Sequence, residues 1–422
     1  MDKLIIEGGN RLSGTVRISG SKNACLPILG ASLLTNEECR IENIPDLKDV
    51  STMLRIISSL GREVKRSGDA ITVASGDATN RIAVYELVST MRASIVVLGS
   101  LLAKYGEAKV SFPGGCVIGP RPINLHLKGL RALGADISVK EGYIVAKAKK
   151  LKGTKIYLGG HFGSSVLATA NTLMAAVLAE GQTMVENAAC EPEIVDLVNF
   201  LTAMGAEING AGTPTIQING VRELKGAEHR IIPDRIEAGT YMIASVITGS
   251  KLFLENAVCE HNMALIDKLK EAGAGIDEKD NGIEVYHTGG NTRATDITTL
   301  TYPGFPTDLQ AQMMSLATVG DGISVITEKI YPERFIHISE LNRMGADIIL
   351  EGSTAIIKGA RKLTGAPVMA SDLRASAALV LAGLVAEGRT EISRVYHLDR
   401  GYEHIEDKLS AVGANIRRVK EQ

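Results

Sequence analysis

Six times along this chain an apolar helical run breaks at a glycine and turns into a β-like stretch: SSLGREV, RALGADI, TAMGAEI, KEAGAGI, NRMGADI and SAVGANI. The glycines, Gly61, Gly134, Gly205, Gly273, Gly345 and Gly413, stand about 70 residues apart, and self-similarity at a fixed period marks repeated structural units. Glycine is the residue that most readily takes the left-handed conformation closing a helix, and segments such as ADISV and ADIIL read as the strands that follow. Upstream lie longer and more apolar runs: SIVVLGSLLAKYG, NTLMAAVLAEG, TYMIASVITGS, LQAQMMSLATVGDG and AALVLAGLVAEG. Short strands such as TMVENA, KLFLENA, ISVITE and RTEIS come after them. Helices that are apolar nearly all round belong inside a core, so this is an α/β chain with helices in the middle and strands outside. Linear solenoids repeat at about 20–50 residues, and the longer period here favours closed domains. Six units divide as three plus three, with a crossing near RIIPDRIEAGT, residues 230–240. A cleft between two such domains is the default place for a ligand.

Composition narrows the function classes. The 422 residues, 45% of them apolar, suffice for two or three domains with a sizeable core. A net charge of −2 argues against a general nucleic-acid binder, and the absence of Trp removes the best stacking platform for bases. Cys25, Cys39, Cys116, Cys190 and Cys259 are scattered and form no Cys-x-x-Cys pair, so neither a zinc knuckle nor a disulfide framework is expected. The start MDKLIIEGGNRLSG has no apolar signal region, and no stretch is long enough to span a membrane. A reduced, cytoplasmic protein is the expectation.

Within VSFPGGCVIGPRPINLH, residues 110–126, Cys116 lies between a Gly-Gly pair and a Gly-Pro-Arg-Pro turn. Most cysteines are small buried hydrophobes, whereas a thiol beside cations on a loop has the surroundings that make it reactive; both readings stand at this level. Cations recur at positions that read as loops: Lys22 in GSKNACLP, Arg92 in STMRAS, Arg121 in GPRP, Arg334 in YPERF, Arg374 in SDLRAS and Arg400 in HLDRGYEH. Each alone reads as a surface charge. Their repeat-equivalent placement, with TMRAS and DLRAS both entering a buried helix, points to bound anions instead. Asp49, Asp308 and Asp372 occupy similar contexts, FPTDLQAQ being the most distinctive.

These motifs, with GGNRLSGTVRISGSKNA, ENAACEPEIVDL, IPDRIEAGTYM, ERFIHISELNRMGADI and HLDRGYEHIEDKL, run end to end. Together they make the chain resemble the enolpyruvyl transferases that act on UDP-N-acetylglucosamine. The resemblance implies two inside-out α/β barrel domains, each of three βαβαββ-type repeats with helices at the core. Their boundaries here would be 22–231, and 1–21 with 232–422, with the active site in the inter-domain cleft. It implies phosphoenolpyruvate and UDP-N-acetylglucosamine as substrates, phosphate as a product, and neither cofactor nor metal. Cys116 matches the proton donor, the residue that the epoxide fosfomycin labels. Asp308 matches the general base. Lys22, Arg121 and Arg400 match the phosphate site, and Arg334 and Arg374 the carboxylate clamp. Asn23, Arg92 and Ile330 match substrate contacts, and Asp372 a partner for the arginines or for proton removal. Arg121, Pro122, Ile123, Asn124 and Leu125 match the uracil-binding segment, and Ser165 and Val166 the diphosphate-binding one.

Two positions depart from the family pattern. Leu167 in SSVLATAN replaces a usual glycine, and Asn124 stands where Asp is common. The run LATANTLMAAVLA reads as a helix beginning near Ser165, so backbone N–H groups would still face an anion there whatever the side chain. Two rival readings are a 5-enolpyruvylshikimate-3-phosphate synthase-like transferase and a non-catalytic nucleotide-sugar-binding relative. SKNA in place of Asp-Lys-Ser, together with the loop cysteine, opposes the first. Retention of the full set of candidate residues opposes the second.

Overall fold

The computed structural model describes residues 2–114, 123–359 and 362–420. The chain forms two compact units, one from residues 20–114 and 123–232, the other from residues 2–19, 233–359 and 362–420. Each unit holds three four-stranded sheets of one design. A short outer strand pairs in parallel with the strand that follows a buried helix, and two further antiparallel strands complete the sheet, as a hairpin in five of the six. In the first unit Lys155–Tyr157 lies parallel to Gln182–Glu186, which pairs antiparallel with Thr215–Asn219, itself paired with Glu207–Asn209. In the second, Ile297–Thr298, Ile323–Thr327, Thr354–Lys358 and Asp347–Glu351 repeat that order.

Closure comes from strands distant in sequence. Glu228–Arg230 returns to lie parallel to Cys39–Glu42 and closes the first unit. Asp2–Glu7 inserts between Arg389–Ser393 and Asn415–Lys420, while Ser13–Arg17 pairs with Lys251–Glu255. The N-terminal segment therefore completes two sheets of the C-terminal half.

Three helices occupy the middle of each unit and pack on one another: Lys22–Ala31, Val97–Tyr105 and Val166–Ala176 in one, Arg235–Ile247, Gln310–Ala317 and Leu373–Val385 in the other. Their side chains are buried on nearly every face. Leucines such as Leu173 and Leu379 each contribute about 1.5–3 kcal/mol by leaving water. Close packing sets the residue choice at Gly99, whose N–H donates to Asn171 Oδ1 at 2.6 Å and where an added Cβ would lie 2.3 Å from the Asn171 carbonyl oxygen. The six glycines of the repeat all have φ between 92° and 109°, as helix closure requires. The sequence pattern misses one buried helix: Lys22–Ala31 carries Pro27 in its interior and a cation in its first turn.

The chain passes between the units at residues 19–20 and 232–233. On one side Asp234 N–H donates to the Ser19 carbonyl at 2.8 Å. Ser19 N–H donates to Glu237 Oε2 at 2.7 Å, and its hydroxyl is bonded to Glu403. Lys408 Nζ donates to both Ser19 Oγ and Glu237 Oε1 at 2.7 Å. On the other side Ser21 N–H donates to the Ile232 carbonyl at 2.8 Å, and Asp196 accepts from Ile232 N–H at 3.3 Å.

Candidate active site

The 3-10 turn Thr307–Leu309 opens the buried helix Gln310–Ala317 and presents Asp308 at its start. Two guanidiniums meet that carboxylate, one on each oxygen: Arg334 Nη1 donates to Oδ1 at 2.8 Å, and Arg374 Nη2 donates to Oδ2 at 3.0 Å. Both arginines are buried, 5% and 1% exposed, while the Asp308 side chain keeps 28% of its surface in contact with solvent. Burial works to lower the Arg334 pKa, but Asp308 and Asp372 outweigh it and raise the value. Arg374 is raised likewise, with burial opposed by Asp308, and the Tyr402 ring centroid lies 5.4 Å from its guanidinium carbon. Sequence reading assigns these arginines to a substrate carboxylate. In the structure the same planar forks hold the protein's own carboxylate, the geometry that a second carboxylate would compete for.

Asp372 serves first as a helix cap, a role the sequence reading did not give it. Its Oδ1 accepts from the N–H groups of Arg374 and Ala375 at 2.9 and 3.2 Å and starts the helix Leu373–Val385. Arg374 is thus the second residue of a helix, and Lys22 the first residue of another, where loops were expected. Near Asp372 and Arg334, His337 is buried, with Nε2 lacking a hydrogen-bond partner among the described residues. Burial, aided by Arg334 and opposed by Asp372, brings its pKa down to about 4.

Residues that the sequence reading did not select hold this cluster in place. Gln312 Nε2 donates to the Asp308 carbonyl at 2.9 Å and to the Tyr402 hydroxyl at 3.0 Å. Tyr402 also shares a hydrogen bond of 2.8 Å with Thr240. Thr307 Oγ1 accepts from Arg334 Nη1 at 3.1 Å, and Glu328 accepts from Thr307. The usable signal was proximity in sequence: Thr307 and Gln312 flank Asp308 in FPTDLQAQ, and Glu328 precedes Ile330 by two residues. Arg400 ends the 3-10 segment Val395–Arg400, two residues before Tyr402.

The other unit carries the second group of candidates. Lys22, 9% exposed, reaches Asp49 Oδ2 at 3.4 Å from the first turn of its helix, which Ser21 caps through Ala24 N–H at 3.3 Å. A cation beside free helix N–H groups is opposed by the dipole, and Asp49 offsets that. Asn23 follows Lys22 in the same helix. Arg92 begins the 3-10 segment Arg92–Val96 that leads into Val97–Tyr105. Ile123 precedes the helix Asn124–Ala132, which Asn124 and Leu125 open. Ser165 caps the helix Val166–Ala176 by accepting from Ala168 N–H at 3.4 Å. Leu167 is the second residue of that helix and packs against the core, and its φ is not positive, so the position does not require glycine. Cys116, Arg121 and Pro122 lie outside the described residues.

Comparison with known proteins bears on the chemistry. The family EPSP synthase (3-phosphoshikimate 1-carboxyvinyltransferase) matches residues 6–409. A protein of Geotalea uraniireducens named UDP-N-acetylglucosamine 1-carboxyvinyltransferase is 55% identical over 421 residues, covering 100% of both chains. One of the same name from Methylacidiphilum infernorum is 55% identical over 419 residues, covering 99% of each. Among solved structures, the enolpyruvyl transferase NikO from Streptomyces tendae superposes with a TM-score of 0.89 at 25% identity, covering 100% of this chain and 99% of that one. EPSP synthase from Acinetobacter baumannii, at 17% identity and full coverage of both chains, shares the fold with a TM-score of 0.77. With its doubled three-repeat architecture and a match over nearly its whole length, the chain belongs to the EPSP synthase family of enolpyruvyl transferases.

Proposed function

We propose that the chain transfers the enolpyruvyl group of phosphoenolpyruvate to the 3′-hydroxyl of UDP-N-acetylglucosamine, releasing phosphate, as the first committed step of peptidoglycan synthesis. The observation that carries this reading is Asp308 held between Arg334 and Arg374, in a chain whose full length matches relatives named for this reaction. The hydroxyl attacks the central carbon of phosphoenolpyruvate while the methylene carbon gains a proton, giving a tetrahedral intermediate. The methyl carbon then loses a proton as the C–O bond to phosphate breaks, leaving an enol ether.

Each step needs groups of the kinds this chain holds. Asp308 has two oxygens with further lone pairs beyond those on the arginines, so it can accept from the sugar hydroxyl and take its proton. Arg334 and Arg374 are fixed by burial and are suited to the carboxylate of phosphoenolpyruvate. Lys22, Arg121 and Arg400 supply cations for the departing phosphate. Cys116 is the proton donor to the methylene carbon. Asn23, Arg92, Ile330, the segment 121–125, Ser165 and Val166 bind the sugar nucleotide, the last two at a capped helix start that favours a diphosphate. No described helix is long and apolar enough to cross a membrane.

Phosphate release tests the reading. Release should require both substrates together and stop in the Cys116→Ser variant, since a serine hydroxyl is a far weaker acid. Release from phosphoenolpyruvate alone, or undiminished release by Cys116→Ser, would refute the assignment.

A further inference from the structure

Next to Asp308 lies a carboxylate that the reaction as written does not use. Glu328, 0% exposed, follows the strand Ile323–Thr327. Its Oε1 accepts from the Thr299 hydroxyl at 2.6 Å and from the N–H groups of Ile330 and Tyr331 at 2.7 and 2.9 Å. Its Oε2 accepts from the Thr307 hydroxyl at 2.9 Å. Thr307 Oγ1 accepts in turn from Arg334 Nη1, which also donates to Asp308.

The directions of these bonds are fixed by chemistry. A carboxylate only accepts, so Thr307 must donate to Glu328, and its lone pairs are then turned toward Arg334. One oxygen of Glu328 thereby sets the turn that carries Ile330, and the other sets the Thr307–Arg334–Asp308 chain. A turn alone could be capped by a neutral group, and hiding a carboxylate from water is expensive unless every lone pair is used. Here four donors converge on it.

We propose that Glu328 is a positioning residue with two separable arms, one orienting Asp308 through Thr307 and Arg334 for attack, the other shaping the Ile330 turn for nucleotide-sugar binding. This rests on the reading of Asp308 as the group that meets the sugar hydroxyl.

Glu328→Gln separates the arms. The amide oxygen can take the Oε1 position and keep its three donors, while the amide nitrogen faces Thr307 and reverses that bond. The expected result is a fall in kcat of at least about tenfold, with the affinity for UDP-N-acetylglucosamine, measured by titration, within about threefold of the parent. Glu328→Ala should lose about tenfold in affinity as well. Thr307→Val, which removes the hydroxyl, should reproduce the kcat loss, and Glu328→Gln/Thr307→Val should be no worse than the poorer single variant, because both cut one chain. Wild-type kcat in Glu328→Gln, or multiplied losses in the double variant, would overturn the proposal. So would a kcat loss that tracks the unfolded fraction and is regained on cooling. If the parent protein releases no phosphate from the two substrates, the functional reading fails separately. Titration then decides the binding arm: weaker binding in Glu328→Ala but not in Glu328→Gln supports it, and equal binding in all three overturns it.

Discussion

At Asp308 one carboxylate is shared by two buried guanidiniums, so its removal affects stability and chemistry together. Asp308→Asn keeps an acceptor for one arginine and turns an amide N–H toward the other. We expect kcat to fall by about 100-fold or more, the usual scale for loss of a general base, with stability lowered by about 1–3 kcal/mol from the badly paired guanidinium. Steady-state kinetics and urea unfolding measure the two effects; intact kcat would remove Asp308 from the role of base. His337 predicts a pH dependence. Its pKa falls from 6.5 to about 4 on folding because burial, with Arg334 nearby, disfavours the charged ring, so the unfolded chain binds the extra proton first. Its contribution to stability is complete above pH 6.5 and is lost as pH falls from 6.5 to about 4. The difference in unfolding free energy between the parent and His337→Gln should change across that window and be flat above it. A difference independent of pH would contradict the burial of a neutral imidazole.

The helix Ile405–Ala411 carries Lys408, the helix Arg235–Ile247 carries Glu237, and Ser19 on the crossing segment is bonded to both. Burial pushes the Glu237 carboxyl up and Lys408 pulls it back, as expected of an ion pair largely removed from water. Lys408→Met should destabilise the protein by about 3–5 kcal/mol, because Glu237 is left buried without its cation. Adding Glu237→Gln should restore much of that loss, and calorimetric melting of the single and double variants checks it. Equal melting of the parent and Lys408→Met would mean that the pair does little. Elements differ in how plainly the sequence announces them. The six repeat glycines are legible because a positive φ after a helix selects glycine. Five of the buried helices are legible from apolar runs of helical length. Lys22–Ala31 is not, since Pro27 and Lys22 read as loop signals, and only the cap from Ser21 and the surrounding core explain it. The outer strands Ile82–Ala83 and Ile297–Thr298 are too short to show any alternation.

Over the whole molecule, the threefold repetition within each unit could be read from the period of the sequence, but closure depends on pairings across long separations. The strand Glu228–Arg230 seals the first unit against Cys39–Glu42, so that unit has its own core and its own closing strand. A fragment of residues 20–232 should therefore unfold cooperatively, and one ending at residue 225 should lose that transition, because the edge at Cys39–Glu42 is left unpaired. Two non-cooperative melts, or two equal ones, would contradict the closure. The candidate site is legible to a similar degree. Asp308, Arg334 and Arg374 come from short motifs of unusual composition, whereas Glu328, Gln312 and Tyr402 act through contacts that only the folded chain brings about. What decides function is the acceptor, since the family is described by a 3-phosphoshikimate acceptor and the full-length relatives are named for UDP-N-acetylglucosamine. The direct measurement is to offer phosphoenolpyruvate with UDP-N-acetylglucosamine and, separately, with shikimate 3-phosphate, and to identify the products by mass spectrometry. The account predicts the enolpyruvyl ether of UDP-N-acetylglucosamine in the first mixture and unchanged substrate in the second; an enolpyruvyl shikimate product, or no product in either, would contradict it.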